Sequence, residues 1–137
     1  MTTAHTTYEL RGYLSRSGHA RLDAVLRECA ELYNAALQER RDAYRMVRKT
    51  VTLYDQTKQF TDVRNDLPEW GSRDVNIGRG VLRRLDRAYN AFFRRVKAGE
   101  TAGFPRFKSG RRWRTIDLAQ VRPGMVKVTD HLSLIHI

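Results

Sequence analysis

The sequence holds one cysteine, three prolines and no apolar run approaching the roughly 18 residues of a membrane span. A single cysteine excludes an internal disulfide framework and fits a reducing compartment. Leu26, Leu32 and Tyr33 around Cys29 point to a buried thiol, and no histidine is placed to make it a nucleophile. His5, His19, His131 and His136 show no metal-ligand spacing with it or with each other. The N-terminal "MTTAHTTYEL" lacks a basic segment followed by an apolar one, so no secretory signal is expected there. These absences lead us to expect a soluble, cytoplasmic protein.

Catalytic patterns are also missing. No P-loop, Gly-x-Ser-x-Gly or His-Glu-x-x-His occurs. Metal-dependent nucleases need converging carboxylates. Here Glu28, Glu31, Glu39 and Asp42 sit in "LRECAELYNAALQERRD", at spacings that suit pairing with nearby arginines. Asp117 and Asp130 lie on or near candidate strands without a persuasive partner. The chain by itself is therefore expected to be no enzyme and to hold no cofactor or metal of its own.

Acidic charge is in the minority, with 15 Asp and Glu against 26 Lys and Arg, a net charge of +11 over 137 residues. The excess is local. Residues 83–114 hold eleven basic side chains against Asp86 and Glu100, so this quarter of the chain carries most of the net charge. A concentrated basic footprint has a polyanion as its natural partner, with a merely solvated basic face as the alternative.

The length suits one domain with its own core. The alternation of Tyr8, Leu10 and Tyr13 suggests a strand, which "SRSG" then breaks. From about residue 19 to 49 the apolar period becomes helical, through Leu22, Val25, Leu26, Cys29, Leu32, Tyr33, Ala36, Leu37, Tyr44 and Val47. Thr52 and Asp55 form a capping-box pattern opening a second helix to about residue 66, with Tyr54, Phe60 and Val63 inside. "PEWGS" reads as a turn with Ser72 as N-cap. A third helix, about 73–98, turns Val75, Val81, Leu82, Leu85, Tyr89, Phe92 and Val96 inward, and Gly99 stops it. Gly78 and Gly80 either admit a closely approaching backbone or nucleic-acid strand, or loosen the first turns. "RTIDLAQV" and "MVKVT" read as short strands about a turn at Arg122-Pro123-Gly124. The fold class is mainly α with a small β part, a helical block between β elements.

On the third helix Arg83, Arg84, Arg87, Arg94, Arg95 and Lys97 supply charge, several along a common polar side. The loop "GFPRFKSGRRWR" adds Arg106, Lys108, Arg111, Arg112 and Arg114 interleaved with Phe104, Phe107 and Trp113. Guanidinium groups suit phosphate, and exposed aromatics stack on bases. Phe104 and Phe107 flank Pro105 and suit an anchor to the core more readily than base stacking; Trp113 is the better stacking candidate.

"LRRLDRAYNAFFRRVKAGETAGFPRFKSGRRW" closely resembles the N-terminal half of TnpB (OrfB) proteins, described as transposases of insertion sequences. The resemblance rests on Leu85-Asp86-Arg87-Ala88, Phe92-Phe93-Arg94-Arg95, Lys97, and Gly103-Phe104-Pro105-Arg106-Phe107-Lys108. Upstream, "ELYNAALQERRDAY" with Tyr33-Asn34, and "YDQTKQFTDVRNDLPEW", resemble the preceding segments. It spans about residues 8 to 129. It implies an RNA-guided DNA endonuclease related to compact type V CRISPR effectors, with guide RNA and target DNA as partners and no membrane. It also implies a three-helix recognition block inserted into a small β-barrel, here incomplete. The family's RuvC-like centre with its divalent metal, such as magnesium, and its zinc ribbon lie downstream of the matched region.

The expected organisation is a first barrel strand at 1–17, the helical block at 18–98, and the basic loop with returning strands at 99–131. "LSLIHI" at 132–137 is what the end of a common transposon-based sequencing adapter encodes, so an adapter-derived tail is expected there. The alternative function is a freestanding helix-turn-helix DNA-binding protein, whose recognition helix would use its N-terminal residues in the major groove.

Overall fold

Ser15 caps the first helix by accepting a hydrogen bond from the Gly18 N–H at 3.1 Å. In the computed structural model, α1 therefore runs Arg16–Val47, and "SRSG" is its cap and first turn rather than a break. Its end is set by Arg48, which adopts a left-handed conformation (φ 53°) while the Lys49 N–H bonds back to the Ala43 carbonyl. The structure describes residues 7, 9 and 11–120, with the backbone of 126–128 and 133–135.

The Thr52–Asp55 capping box forms in both directions and opens α2 (Leu53–Asp66). Asp55 donates no proton there: accepting from Thr52 holds its carboxyl below the usual range. The expected turn at "PEWG" is instead a single helical turn, α3 (Pro68–Gly71). Pro68 sits at its first position, where a missing N–H costs nothing. Asp74, not Ser72, caps α4 (Val75–Lys97), accepting from the Asn76 N–H at 2.9 Å. Gly99 takes a positive φ of 77° directly after the Ala98 C-cap, so it is the stop residue expected.

The core lies between α1, α2 and α4. Leu37, Ile77, Leu82, Leu85 and Cys29 are fully buried in it. Each large aliphatic contributes about 1.5–3 kcal/mol by leaving water. Glu28 pairs with Arg73 and Arg40 with Asp86, so α1 and α4 run in the same direction and α2 supplies the return. Arg40 is the polar hub: its Nε donates to Gln56 Oε1 at 2.8 Å and its Nη2 to Asp86 Oδ1 at 3.2 Å. Gln56 in turn donates to the Ala36 carbonyl at 2.8 Å. Three helices are thereby tied by one buried guanidinium with satisfied partners, the condition under which a buried charge is tolerable.

The glycines of α4 resolve as close-approach positions. A Cβ on Gly78 would fall within the Phe60 ring, and one on Gly80 would fall on the Asp117 carbonyl oxygen. The approaching groups belong to this chain itself, so these two sites need no nucleic acid to explain them.

Several inward assignments at the helix ends fail. Tyr44, Val47 and Val96 are exposed where α1 and α4 project past the packed region, and Tyr54 is exposed in the first turn of α2. Phe92 is only half-buried.

The β expectations are corrected further. Tyr8 and Leu10 lie outside the described residues, and 11–14 form no strand, with Tyr13 and Leu14 exposed. Residues 114–120 are irregular, since their backbone docks on α4 instead of a strand. The turn at Arg122-Pro123-Gly124 lies outside the described residues. Among the described residues one antiparallel pair occurs, β1 (Val126–Val128) against β2 (Ser133–Ile135), with Lys127 opposite Leu134. Two three-residue strands make no barrel. The molecule is thus mainly helical, with four helices among the described residues where three were expected. No helix among the described residues is long and apolar enough to cross a membrane.

Candidate nucleic-acid interface

After Gly99 the chain returns along α1, and a polar stripe receives it. Arg27, Asn34 and Arg41 recur at seven-residue intervals, which keeps them on one side of the helix. Each meets the loop. The Arg41 guanidinium lies 5.4 Å from the Phe107 ring centre. The Asn34 side chain and the Lys108 backbone exchange two hydrogen bonds, at 2.7 and 2.8 Å. Gly110 sits directly on Arg27, where an added Cβ would lie 3.0 Å from its Cγ.

Trp113 ends this run, and it is buried, 2% exposed. Its ring packs on Tyr33 at 5.1 Å between centroids. The Arg84 guanidinium lies 4.4 Å from the ring centre and the Lys108 ammonium 5.7 Å. Burial pushes the Tyr33 hydroxyl up. Burial, then Arg84, pulls the Lys108 ammonium below its ordinary value. The stacking role expected of Trp113 is therefore corrected: Tyr33 and the cations already occupy its ring.

Phe104 and Phe107, for which core anchoring was the competing reading, are the exposed pair, at 57% and 46%. Phe104 stacks on half-buried Phe92 with centroids 4.4 Å apart and planes 26° from parallel. Phe93 beside it is 51% exposed. The anchor and the free aromatics have changed places. Trp113 follows a tight loop that carries it between α1 and α4, whereas Phe104 leaves α4 beyond the end of the core.

Residues 114–120 then run back along α4. The Ala119 N–H donates to the Asn76 carbonyl at 3.2 Å, and Arg83 donates to the Ala119 carbonyl at 3.3 Å. Arg87 faces Asp117 at 3.8 Å, while Ile116 and Leu118 pack against the core.

The expected basic residues thus divide by task. Arg84 and Lys108 bracket Trp113, and Arg83 and Arg87 hold the returning segment. Arg94, Arg95, Lys97 and Arg106 are exposed around the Phe92–Phe104 stack's end of the molecule, and Arg111, Arg112 and Arg114 are exposed near Trp113. None of these seven takes part in an ion pair among the described residues. Sequence reasoning missed Arg27 and Arg41; their seven-residue spacing about Asn34 was the available signal.

Cys29 is buried, and burial pushes its thiol up to about 11, which leaves it protonated and inert at neutral pH. Among the described residues no group of three or more His, Cys, Asp or Glu is arranged to hold a metal ion. No known protein family and no curated protein matches the chain.

Proposed function

We propose that this chain is a nucleic-acid-binding module, the N-terminal part of a TnpB-type transposon protein, that holds guide RNA and target DNA and leaves cleavage to another region. The observation that carries the reading is the exposed Phe104, backed by Phe92 and flanked in sequence by Arg94, Arg95, Lys97 and Arg106. Exposed rings in a basic setting can take unpaired bases while guanidinium groups follow the phosphates. In RNA-guided systems base pairing reads sequence, and the protein contributes backbone and shape contacts. An arginine-rich surface with few directional acceptors suits that division. Under this reading the metal-binding acids that cleavage needs belong to that other region.

The helix-turn-helix reading is disfavoured by the burial of Asn76, Ile77, Gly78, Gly80, Val81 and Leu82. The N-terminal half of α4 is covered by Phe60 and by residues 114–120, so it has little free surface for a major groove.

Competition between a structured RNA and duplex DNA tests the proposal. RNA should bind at least as tightly. With about five phosphates contacted, log affinity for duplex should fall against log salt with a slope of roughly −4. Tight, sequence-specific duplex binding without RNA affinity would overturn the proposal in favour of the helix-turn-helix reading.

A further inference from the structure

Where the loop crosses α1 it leaves a cleft of about 330 Å³. Arg27 of α1 lines it together with Arg111 and Arg114 of the loop, Leu26 and Trp113 supply apolar surface, and Asp23 stands among them. None of the three arginines is ion-paired among the described residues. Trp113, although buried, has an indole N–H with no acceptor among the described residues. The indole nitrogen is itself out of solvent contact, so it serves as a reporter of the cleft beside it and not as one of the cleft's ligands. Three free guanidinium groups, an apolar surface and one carboxylate form a set of complementary chemistry. The volume is within the range of small-ligand sites.

We propose that this cleft seats one unpaired nucleotide of the bound RNA, with guanine preferred. Arg27, Arg111 and Arg114 take its phosphate. Leu26, half-buried beside the covered Trp113, supports the base. The Asp23 carboxylate accepts from the base, and guanine is favoured because its N1–H and N2–H₂ are adjacent donors that a carboxylate can accept together. Uracil offers a single ring N–H and loses this pairing. The inference rests on the RNA-binding reading above but concerns a site separate from the Phe92–Phe104 end.

The test uses the full chain and the two indole N–H signals of a ¹⁵N spectrum, with the Trp113 signal identified by Trp70→Phe. Guanosine monophosphate, uridine monophosphate and inorganic phosphate are titrated separately. The Trp113 signal should shift saturably with guanosine monophosphate, at several-fold lower concentration than with uridine monophosphate, and the Trp70 signal should stay in place. Arg27→Ala should weaken the response by roughly tenfold, the loss of one charge-assisted contact. If that variant does not fold, Arg114→Ala at an exposed position serves. Asp23→Asn should abolish the preference for guanosine over uridine. No Trp113 shift at millimolar nucleotide, or an equal response to inorganic phosphate, overturns the proposal. Either result leaves the RNA competition experiment free to succeed or fail independently.

Discussion

Asn34 and Lys108 hold each other through two hydrogen bonds across 74 positions of sequence. Asn34 Nδ2 donates to the Lys108 carbonyl, and the Lys108 N–H donates to Asn34 Oδ1. One side-chain amide thus satisfies both backbone groups of a loop residue and fixes the basic loop to α1. Removing it strands both groups in a half-buried place. Asn34→Ala should cost about 1–3 kcal/mol. Denaturant midpoints should fall accordingly, and trypsin should cut within residues 106–112 faster than in the parent chain. Unchanged cleavage would mean that the loop is held mainly by Trp113.

Gly78 and Gly80 offer a test of sign. Helix propensity alone says that Gly→Ala in α4 stabilises by about 1 kcal/mol. The close approaches of Phe60 and the Asp117 carbonyl say the opposite. Gly80→Ala should destabilise by about 1–3 kcal/mol, because the obstacle is backbone that cannot rotate away. Gly78→Ala should also destabilise, since the Phe60 ring must be displaced. Thermal melts decide it: a raised midpoint for Gly80→Ala would place residues 114–120 away from α4.

Trp113 and Phe104 should separate stability from binding. Trp113→Ala removes a buried ring and should cost about 3–5 kcal/mol. Phe104→Ala and Phe107→Ala should change stability by no more than about 0.5–1 kcal/mol, since both rings are largely exposed. Their effect belongs to RNA affinity, where loss of one stacked base is worth about 1–3 kcal/mol. Melts and RNA titrations on the same three proteins check this together.

Cys29 sets a pH dependence. Its thiol ionises at about 11 in the folded chain, against an ordinary value of 9.0. The unfolded state therefore loses its proton first, and stability falls as pH rises from about 9 through 11. The loss attributable to this residue is on the order of 2 kcal/mol. Burial of Tyr33 and Tyr89 pushes their hydroxyls up as well, so they add to the decline in the same direction. Denaturant unfolding at pH 8 and pH 10.5 should show a smaller drop for Cys29→Ala than for the parent chain.

The helices were legible because their signals are local. The apolar period of α1, the capping box of Thr52 and Asp55, and the glycine stop after α4 all act within a few residues. Ser15 was also local, but "SRSG" reads equally as a breaker and as a cap with a first turn. The 114–120 segment illustrates the limit. Ile116 and Leu118 alternate as a strand would, yet the segment docks on α4, with Ala119 bonded to the Asn76 carbonyl and the Asp117 carbonyl against Gly80. Nothing near residue 116 announces that.

Charge content in the loop was legible, whereas the fate of each side chain was not. Phe104, Phe107 and Trp113 are similar letters within ten positions. What separates them is Tyr33 and Arg84, distant in sequence, which claim the tryptophan. Tyr33 is legible as an apolar position of α1, whereas Asn34 and the pairing of the two are legible only through a resemblance. The pair's physical role, one residue against Trp113 and the next on Lys108, needed the fold.

The central claim is that the basic, aromatic end of α4 and its loop grip nucleic acid. Its most direct test is the salt dependence of RNA affinity for the parent chain and for an Arg94→Ala, Arg95→Ala, Arg106→Ala triple variant. If three phosphate contacts are lost, the slope of log affinity against log salt should become shallower by about 2 for a single-stranded target. The affinity itself should drop at low salt. The same slope and the same affinity in the variant would contradict the account.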